Sequence, residues 1–352
     1  MTAPPPAILQ FLDGTVERRP SAAIGMATIE DNEVAWTAAA GKGADAVFQA
    51  GSLSKTVTAA VALELVGRGV LELDADVSAH LSSWSLPPGS EATLRSLLGH
   101  TAGVNVPFCP GYPQGAPAPT LAQSLRGAKP ATTPAVTVDP KRAGHFRYSG
   151  AGYAIVQQLL EDATGKPFAE IARRTVFDPL GMPQSSFAQP PEPMPAPPAW
   201  DDWRFYPEQA AAGLWTTPSD LARFVCAIQG GGAGLAQETV AAMTTPQAGL
   251  PFGGQWTVVR ALGLAFPRRA GLGLFVDAHR FINLGGASGS FSALTGSTGD
   301  GSGAVVMTAG CRSPRAIRIL LEVADAQGWS DLRLSRRGPR RWVSDRLLRL
   351  LS

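Results

Sequence analysis

The pattern of apolar and polar positions predicts strands at both ends of the chain and helices between them. Residues 22–29 and 33–40 are apolar-rich runs separated by the polar residues Glu-Asp-Asn, which is typical of an antiparallel hairpin. After about position 255, short strand-like runs return, and a helical pattern follows over 314–326. We therefore predict a sheet that is assembled from the two termini.

The middle of the chain is helical in pattern. Apolar residues recur at helical intervals in "TLRSLLGH", "GYAIVQQLLEDATG", "FAEIARRTVF" and "SDLARFVCAI". Segments rich in Pro and Gly, at 105–119 and 189–198, interrupt these helices. The predicted fold class is α+β: an antiparallel sheet flanked by helices, with an inserted, mostly helical domain.

These patterns also predict the domain boundaries. Residues 1–71 and 241–327 form the predicted sheet domain, and residues 72–240 form the inserted helical domain. An arginine-rich extension occupies 328–352. We interpret it as a solvated helix lying against the body, although a docking surface for an acidic partner fits the same charges.

One predicted helix begins with a possible nucleophile. The segment from Ser52 to Gly69 has small and apolar residues at helical intervals and ends at Gly-Arg-Gly. It places Ser52 in the first turn and Lys55 three residues later on the same face. Burial disfavours the charged form of an amine, so Lys55 could accept the serine proton, and the helix N-terminus favours developing negative charge.

The same spacing also fits an N-cap serine followed by a surface lysine. Of the five lysines, however, only Lys55 has a serine three positions before it. Ser52 and Lys55 are therefore a candidate nucleophile and base.

Composition limits the other possibilities. The 352 residues are 45% hydrophobic and 16% charged with a net charge of +2, which gives no basic field for nucleic acid. Three cysteines and four histidines match no metal-ligand spacing, so we expect neither a metal nor another cofactor. No signal-peptide pattern or long apolar run is visible, so we expect a cytoplasmic protein without a membrane partner. The oligomeric state is not predicted.

Several blocks of sequence resemble one known family. These blocks are "FQAGSLSKTVTA", "GVLELDADV", "TLRSLLGHTAGV", "FRYSGAGYAIVQQLLE", "DPLGMPQSSF" and "AAAGLWTTPSDLARF". Over about residues 22–327 the chain is similar to serine β-lactamase-like proteins: class C β-lactamases, penicillin-binding D,D-peptidases, and family VIII esterase and transacylase relatives. The resemblance implies the inserted-domain architecture, and it implies that Ser52 is the nucleophile and Lys55 its base.

The resemblance also implies the roles of other residues. Tyr148, in Tyr-Ser-Gly, matches the family's Tyr-x-Asn and would relay the proton from Ser52 to the leaving group. The backbone N–H groups of Ser52 and Ala287 would form the oxyanion hole. His100 is expected to shape the edge of the site without a chemical role. Trp215 is a further candidate for the substrate pocket.

Two positions depart from the family pattern. Gly150 replaces an asparagine whose amide holds the acyl side-chain amide of the substrate and contacts the lysine. Leu284 stands where a Lys or His is usual, and it is followed by Gly285 and Gly286. Leucine cannot hold a substrate carboxylate, which argues against penicillin and D-Ala-D-Ala substrates. Esterases of the family often carry an uncharged residue and two glycines at this place.

We therefore predict a serine hydrolase or acyltransferase of the carboxylesterase or transacylase type. Its expected partners are a small-molecule ester or amide as acyl donor, and water, an alcohol or an amine as acceptor. A D,D-peptidase or β-lactamase whose leader has been removed is one alternative, and a non-catalytic binding protein on the same fold is another. Aromatic residues that precede the block at 210–224 would line an apolar acyl pocket or pack in the core; they are Trp200, Trp203, Phe205 and Tyr206.

Overall fold

An eight-stranded antiparallel sheet forms the centre of the computed structural model. The structure describes residues 2–18, 21–41, 46–188, 203–230, 234–251, 264–287, 289–310 and 314–332. The strands are β1 Ala23–Glu30, β2 Glu33–Ala40, β3 Phe48–Gln49, β4 Tyr112–Pro113, β5 Arg204–Phe205, β6 Trp215–Thr216, β7 Ala248–Gly249, β8 Arg269–Ala270, β9 Phe275–Asp277, β10 Arg280–Ala287, β11 Ser290–Ser297 and β12 Gly303–Ala309. The order in the sheet is β2-β1-β12-β11-β10-β9-β8-β7, while β3 pairs with β6 and β4 with β5.

Helices lie on both faces of this sheet. They are α1 Pro6–Glu17, α2 Ser54–Gly67, α3 Leu94–Leu98, α4 Leu121–Arg126, α5 Gly150–Thr164, α6 Phe168–Ala172, α7 Gln209–Ala212, α8 Pro218–Ile228, α9 Gln237–Thr244 and α10 Pro314–Ala326. Strands from the beginning and the end of the chain share the one sheet, because β1 pairs with β12. The predicted α+β fold, with an antiparallel sheet flanked by helices, is confirmed. The domain boundaries at 71/72 and 240/241 stay a prediction.

Both faces of the sheet are buried. Successive side chains of a strand point to opposite faces, and those of β12 alternate between two hydrophobic clusters. Val305 and Met307 pack in the larger cluster, with residues of α2, α5 and α8. Ala304 and Val306 pack in the smaller one, with residues of α1 and α10. The sheet is thus a middle layer between two sets of helices.

Helix α2 begins later than the sequence pattern predicts. Ser52 lies in a 3-10 turn, Gly51–Leu53, and α2 itself begins at Ser54. Gly51 has a φ of +54°, a left-handed conformation that glycine adopts without steric cost, and it breaks the helix at this point. The hydroxyl of Ser54 then donates to the carbonyl oxygen of Gly51 at 2.6 Å. The prediction that Ser52 belongs to the first α-helical turn was therefore wrong, although Ser52 still directly precedes the helix.

Every residue of α2 from Ser54 to Leu65 is buried. Alanine is frequent in this helix, which lets α7, α9 and the helices of the middle region pack closely around it. Among the described residues, no helix is both long and apolar enough to cross a bilayer. Most of the strand-like run at 256–266 and most of the arginine-rich extension lie outside the described residues, as does Trp200.

Candidate active site

Ser52 and Lys55 form a hydrogen-bonded pair at the start of α2. The Nζ atom of Lys55 donates to Oγ of Ser52 at 3.1 Å. Lys55 is 4% exposed, whereas Ser52 is partly exposed and can be reached from outside. A buried amine in contact with an accessible hydroxyl is the arrangement that activates a serine nucleophile.

Helix α7 holds the lysine in place. Nζ of Lys55 also donates to the carbonyl oxygen of Ala211 at 2.7 Å, and Thr58 Oγ1 donates to that of Ala210 at 2.9 Å. The backbone of this short helix therefore accepts hydrogen bonds from two buried side chains of α2 that lie about one helical turn apart. Sequence reasoning had assigned no role to these carbonyl groups, because any residue type can supply them.

Tyr148 lies beside the same amine. Nζ of Lys55 is 5.1 Å from the centre of the Tyr148 ring, and Tyr148 is half-buried. A second ring, that of Tyr153, lies 5.8 Å from the amine. Tyr153 is fully buried, its Oη donates to the carbonyl oxygen of Leu98 at 2.8 Å, and burial raises the pKa of its phenol well above the usual value. Of the two phenols, that of Tyr148 is nearer to the lysine and belongs to a residue that is partly exposed.

His100 packs directly against Tyr148. Their ring centres are 4.5 Å apart, and Nδ1 of His100 accepts the backbone N–H of Ser149 at 3.1 Å. Burial, together with the nearby charge of Lys55, lowers the pKa of His100 to about 3. The imidazole is therefore neutral at neutral pH and supports the Tyr148 ring. The sequence indicated a loop histidine but contained no signal for this contact.

Strand β10 approaches the 3-10 turn at van der Waals distance. A Cβ atom at Gly51 would lie 2.5 Å from the carbonyl oxygen of Gly286. A Cβ atom at Gly285 would overlap the carbonyl oxygen of Ala50 and would lie 2.6 Å from Oγ of Ser292. The two backbones can meet only because these positions lack side chains. The approach brings the strand that ends at Ala287 against the turn that carries Ser52, while the assignment of the oxyanion hole stays a prediction.

The environment of Leu284 is apolar. Leu284 is half-buried and packs against the smaller hydrophobic cluster, as do Phe146, Tyr148 and Phe291. The preceding residue, Asn283, points to the other face, where its amide donates to Oγ1 of Thr56 at 2.6 Å and ties β10 to α2. Leu284 therefore presents hydrocarbon on the face of β10 that carries the smaller hydrophobic cluster.

Gly150 begins helix α5, and its neighbour is a cysteine that the sequence analysis had not selected. A Cβ atom at Gly150 would lie 2.9 Å from Sγ of Cys109. Gly150 follows Tyr148 by two residues, so Cys109 lies close to this part of the chain. The described structure thus brings together Ser52, Lys55 and Tyr148, with Gly150 close by.

The expectation for Trp215 is corrected by its burial. Trp215 is 1% exposed and pairs with Gln49 through β6 and β3, so its ring packs in the core and has no face open to a ligand. Tyr206 is likewise 3% exposed. Trp203 contacts Trp215 edge to face at 5.5 Å. For Trp215 and Tyr206, core packing is therefore the correct alternative.

The chain matches known proteins along most of its length. The family model described as Beta-lactamase matches residues 10–326. Over 144 residues the chain is 31% identical to penicillin-binding protein 4 of Amycolatopsis lactamdurans, which covers 40% of this chain. The chain spans only 36% and 35% of the length of the curated relatives it matches first.

Two solved structures illustrate the shared fold. The octameric penicillin-binding protein homologue from Pyrococcus abyssi has a TM-score of 0.70 at 19% identity, covering 93% of this chain and 78% of its own. The D-amino acid amidase from Ochrobactrum anthropi SV3 has a TM-score of 0.70 at 20% identity, covering 92% and 99%. These structures share the fold of this chain. Because the family model spans far more than half of the sequence, the chain belongs to the beta-lactamase family.

Proposed function

We propose that this protein is an esterase or transacylase that forms an acyl-enzyme on Ser52. The acyl donor is a small-molecule ester or amide, and the acyl group passes to water or to an alcohol or amine acceptor. The observation that carries the choice of substrate class is the apolar environment of Leu284 on β10, the strand that contacts the 3-10 turn. A peptidase or lactamase of this family holds a substrate carboxylate there, and leucine offers neither a charge nor a hydrogen bond.

The first chemical step follows from the contacts of Lys55. Ser52 Oγ attacks the acyl carbonyl carbon while its proton passes to the Lys55 amine, which lies 3.1 Å away. The bond from Lys55 to the Ala211 carbonyl keeps the amine oriented throughout. The backbone N–H groups of Ser52 and Ala287 stabilise the oxyanion of the tetrahedral intermediate.

The second step needs an acid for the leaving group. Tyr148, whose ring lies 5.1 Å from Nζ of Lys55, donates its proton to the departing alcohol or amine, and the lysine returns a proton to it. The reverse transfers then activate the incoming acceptor, and release of the acyl group restores Ser52.

The test compares two classes of substrate, esters and a β-lactam, with the purified protein. We expect turnover of short-chain p-nitrophenyl esters, with negligible hydrolysis of a chromogenic cephalosporin. Intact-mass spectrometry should show one fluorophosphonate adduct on the wild type and none on Ser52→Ala. Leu284→His should raise the ratio of lactam to ester turnover, because it restores a hydrogen-bonding side chain for a carboxylate.

Two outcomes would overturn the proposal. Cephalosporin hydrolysis comparable to ester turnover would favour the peptidase and lactamase alternative. Labelling of Ser52→Ala equal to that of the wild type, or no labelling of either, would favour the binding-protein alternative.

A further inference from the structure

A second residue, Cys109, fills the space beside Gly150 that a side chain would otherwise occupy. Gly150 is the first residue of α5, a conformation that any residue can adopt, so its lack of a side chain has a steric cause. A Cβ atom there would lie 2.9 Å from Sγ of Cys109, 3.3 Å from the carbonyl oxygen of Pro107 and 3.4 Å from the backbone nitrogen of Cys109. The thiol therefore lies where a side chain at position 150 would begin.

We propose that Cys109 and Gly150 together determine acyl specificity, with the Cys109 thiol replacing the amide of an asparagine as the wall of the acyl pocket. This inference rests on the proposed function. It assigns the preferred acyl donor to a class: plain aliphatic acyl groups rather than acylamido groups, which need an amide partner in this wall.

The segment that carries Cys109 is fixed to the start of α5. The backbone N–H of Gly150 donates to the carbonyl oxygen of Pro107 at 2.9 Å, and that of Ala151 donates to Val106 at 3.2 Å. Oγ of Ser149 also donates to the carbonyl oxygen of Asn105 at 2.7 Å. Because three bonds join two short stretches of chain, the backbone that carries Cys109 cannot move away from position 150 without breaking them.

The thiol is not suited to act as a nucleophile. Burial, and to a lesser degree the nearby carboxyl of Glu208, raises the pKa of Cys109 far above its ordinary value, while Lys55 acts in the opposite direction. Cys109 is therefore a neutral thiol at neutral pH, and a neutral thiol behaves as a small apolar group with a weak S–H donor. Such a group accepts a methylene chain more readily than an amide.

The next residue extends the same apolar wall outward. Phe108 is 58% exposed, which is unusual for a large apolar side chain, and its ring centre lies 5.9 Å from that of Tyr148. An exposed aromatic ring beside the proposed proton relay provides an apolar surface for a hydrocarbon chain entering the site. Phe108 thus adds hydrocarbon beside Tyr148, and Cys109 adds sulfur beside Gly150.

The experiment pairs two p-nitrophenyl esters with four proteins besides the wild type. The esters are the hexanoate and the N-acetylglycinate, which are similar in size but differ in an amide. The variants are Cys109→Ala, Gly150→Asn, Cys109→Ala with Gly150→Asn, and Cys109→Ala with Gly150→Ala. The last one fills the space without supplying an amide and is the matched control. kcat/KM is measured for both esters and the melting temperature for every protein.

We expect the wild type to prefer the hexanoate. Gly150→Asn alone should lower the melting temperature, because its Cβ would collide with the Cys109 thiol. Adding Cys109→Ala to this variant should restore most of the melting temperature. The Cys109→Ala, Gly150→Asn double variant should raise the N-acetylglycinate to hexanoate ratio by about two- to tenfold, which is the value of one neutral hydrogen bond. The alanine control should not raise it.

Three results would overturn this inference. One is a decrease in melting temperature in Gly150→Asn that is equally large in the Cys109→Ala, Gly150→Asn double variant. Another is an equal change of the ratio in the asparagine variant and the alanine control. The third is a wild type that prefers the N-acetylglycinate. Failure of the proposed function is distinct from these, since the wild type would then hydrolyse neither ester, while the melting temperatures would still report the packing of Cys109 against position 150.

Discussion

At the scale of single residues, the site distinguishes two tyrosines that lie almost equally close to one lysine. The ring centres of Tyr148 and Tyr153 are 5.1 Å and 5.8 Å from Nζ of Lys55. Tyr153 is fully buried, and its hydroxyl is bound to the Leu98 carbonyl oxygen. A phenol that donates permanently to the backbone cannot shuttle a proton, so the proposed relay belongs to Tyr148 alone.

This difference leads to a prediction with a built-in control. Lys55→Ala and Tyr148→Phe should each lower kcat for p-nitrophenyl esters by roughly 100- to 10,000-fold, since each removes a positioned acid or base. Tyr153→Phe should keep kcat close to the wild-type value and instead lower the free energy of unfolding by about 1 kcal/mol, the value of one buried hydrogen bond. Steady-state kinetics and urea unfolding of the three variants check this. If Tyr148→Phe retained wild-type turnover, the assignment of the relay would be wrong.

At the scale of elements, the site depends on how closely β10 approaches the 3-10 turn. The hydroxyls of Ser290 and Ser292 on β11 donate to the carbonyl oxygens of Gln49 and Ala50, so the sheet also holds the chain that precedes Ser52. Two adjacent glycines of β10 differ sharply in this contact. Gly285 faces the turn, while Gly286 is exposed and a Cβ atom there would meet only Cδ2 of Phe291 at 3.7 Å.

The two glycines should therefore respond differently to one methyl group. Gly285→Ala would press against the Ala50 carbonyl oxygen and against Leu53 N, which lies 3.1 Å from the new atom, so we expect a loss of about 1–3 kcal/mol in stability. Gly286→Ala should leave the melting temperature near that of the wild type. Thermal unfolding of both variants provides the comparison. Equal melting temperatures would mean that β10 does not pack on the turn in this way.

The elements also show which features a sequence pattern can and cannot predict. The apolar-rich runs at 22–29 and 33–40 predicted the β1–β2 hairpin, because a short polar turn between two such runs is a local signal. The start of α2 was misplaced by two residues, since the apolar pattern continues through Ser52 while the backbone at Gly51 does not. The burial of Trp215 and the contact of Cys109 with Gly150 depend on segments far apart in the chain, and no local pattern contains that information.

At the scale of the whole molecule, the burial of the site affects stability as a function of pH. Burial raises the pKa of the carboxyl groups of Glu161, Glu208 and Asp220 in the folded state, which favours folding as the pH falls. His100 acts in the opposite direction, because burial and Lys55 lower its pKa from 6.5 to about 3. Below pH 6.5 the unfolded chain binds a proton at this histidine and the folded protein does not. Stability from this group is therefore complete above pH 6.5 and is lost progressively toward pH 3.

The size of this effect can be isolated with a single substitution. Between pH 6.5 and about pH 3, His100 lowers the free energy of unfolding by about 1.4 kcal/mol for each pH unit of acidification. Between pH 7 and pH 5 the decrease is about 2 kcal/mol. His100→Asn should remove it, since asparagine can accept the Ser149 N–H and tolerates the φ of +59° found at this position. Urea unfolding at pH 7 and pH 5 should thus show a stability loss that is smaller by about 2 kcal/mol in His100→Asn than in the wild type. The exposed His145, changed to Asn, is the control and should behave as the wild type does. An unchanged pH dependence in His100→Asn would show that this imidazole takes up its proton in the folded protein, and that a charged ring can exist beside Lys55.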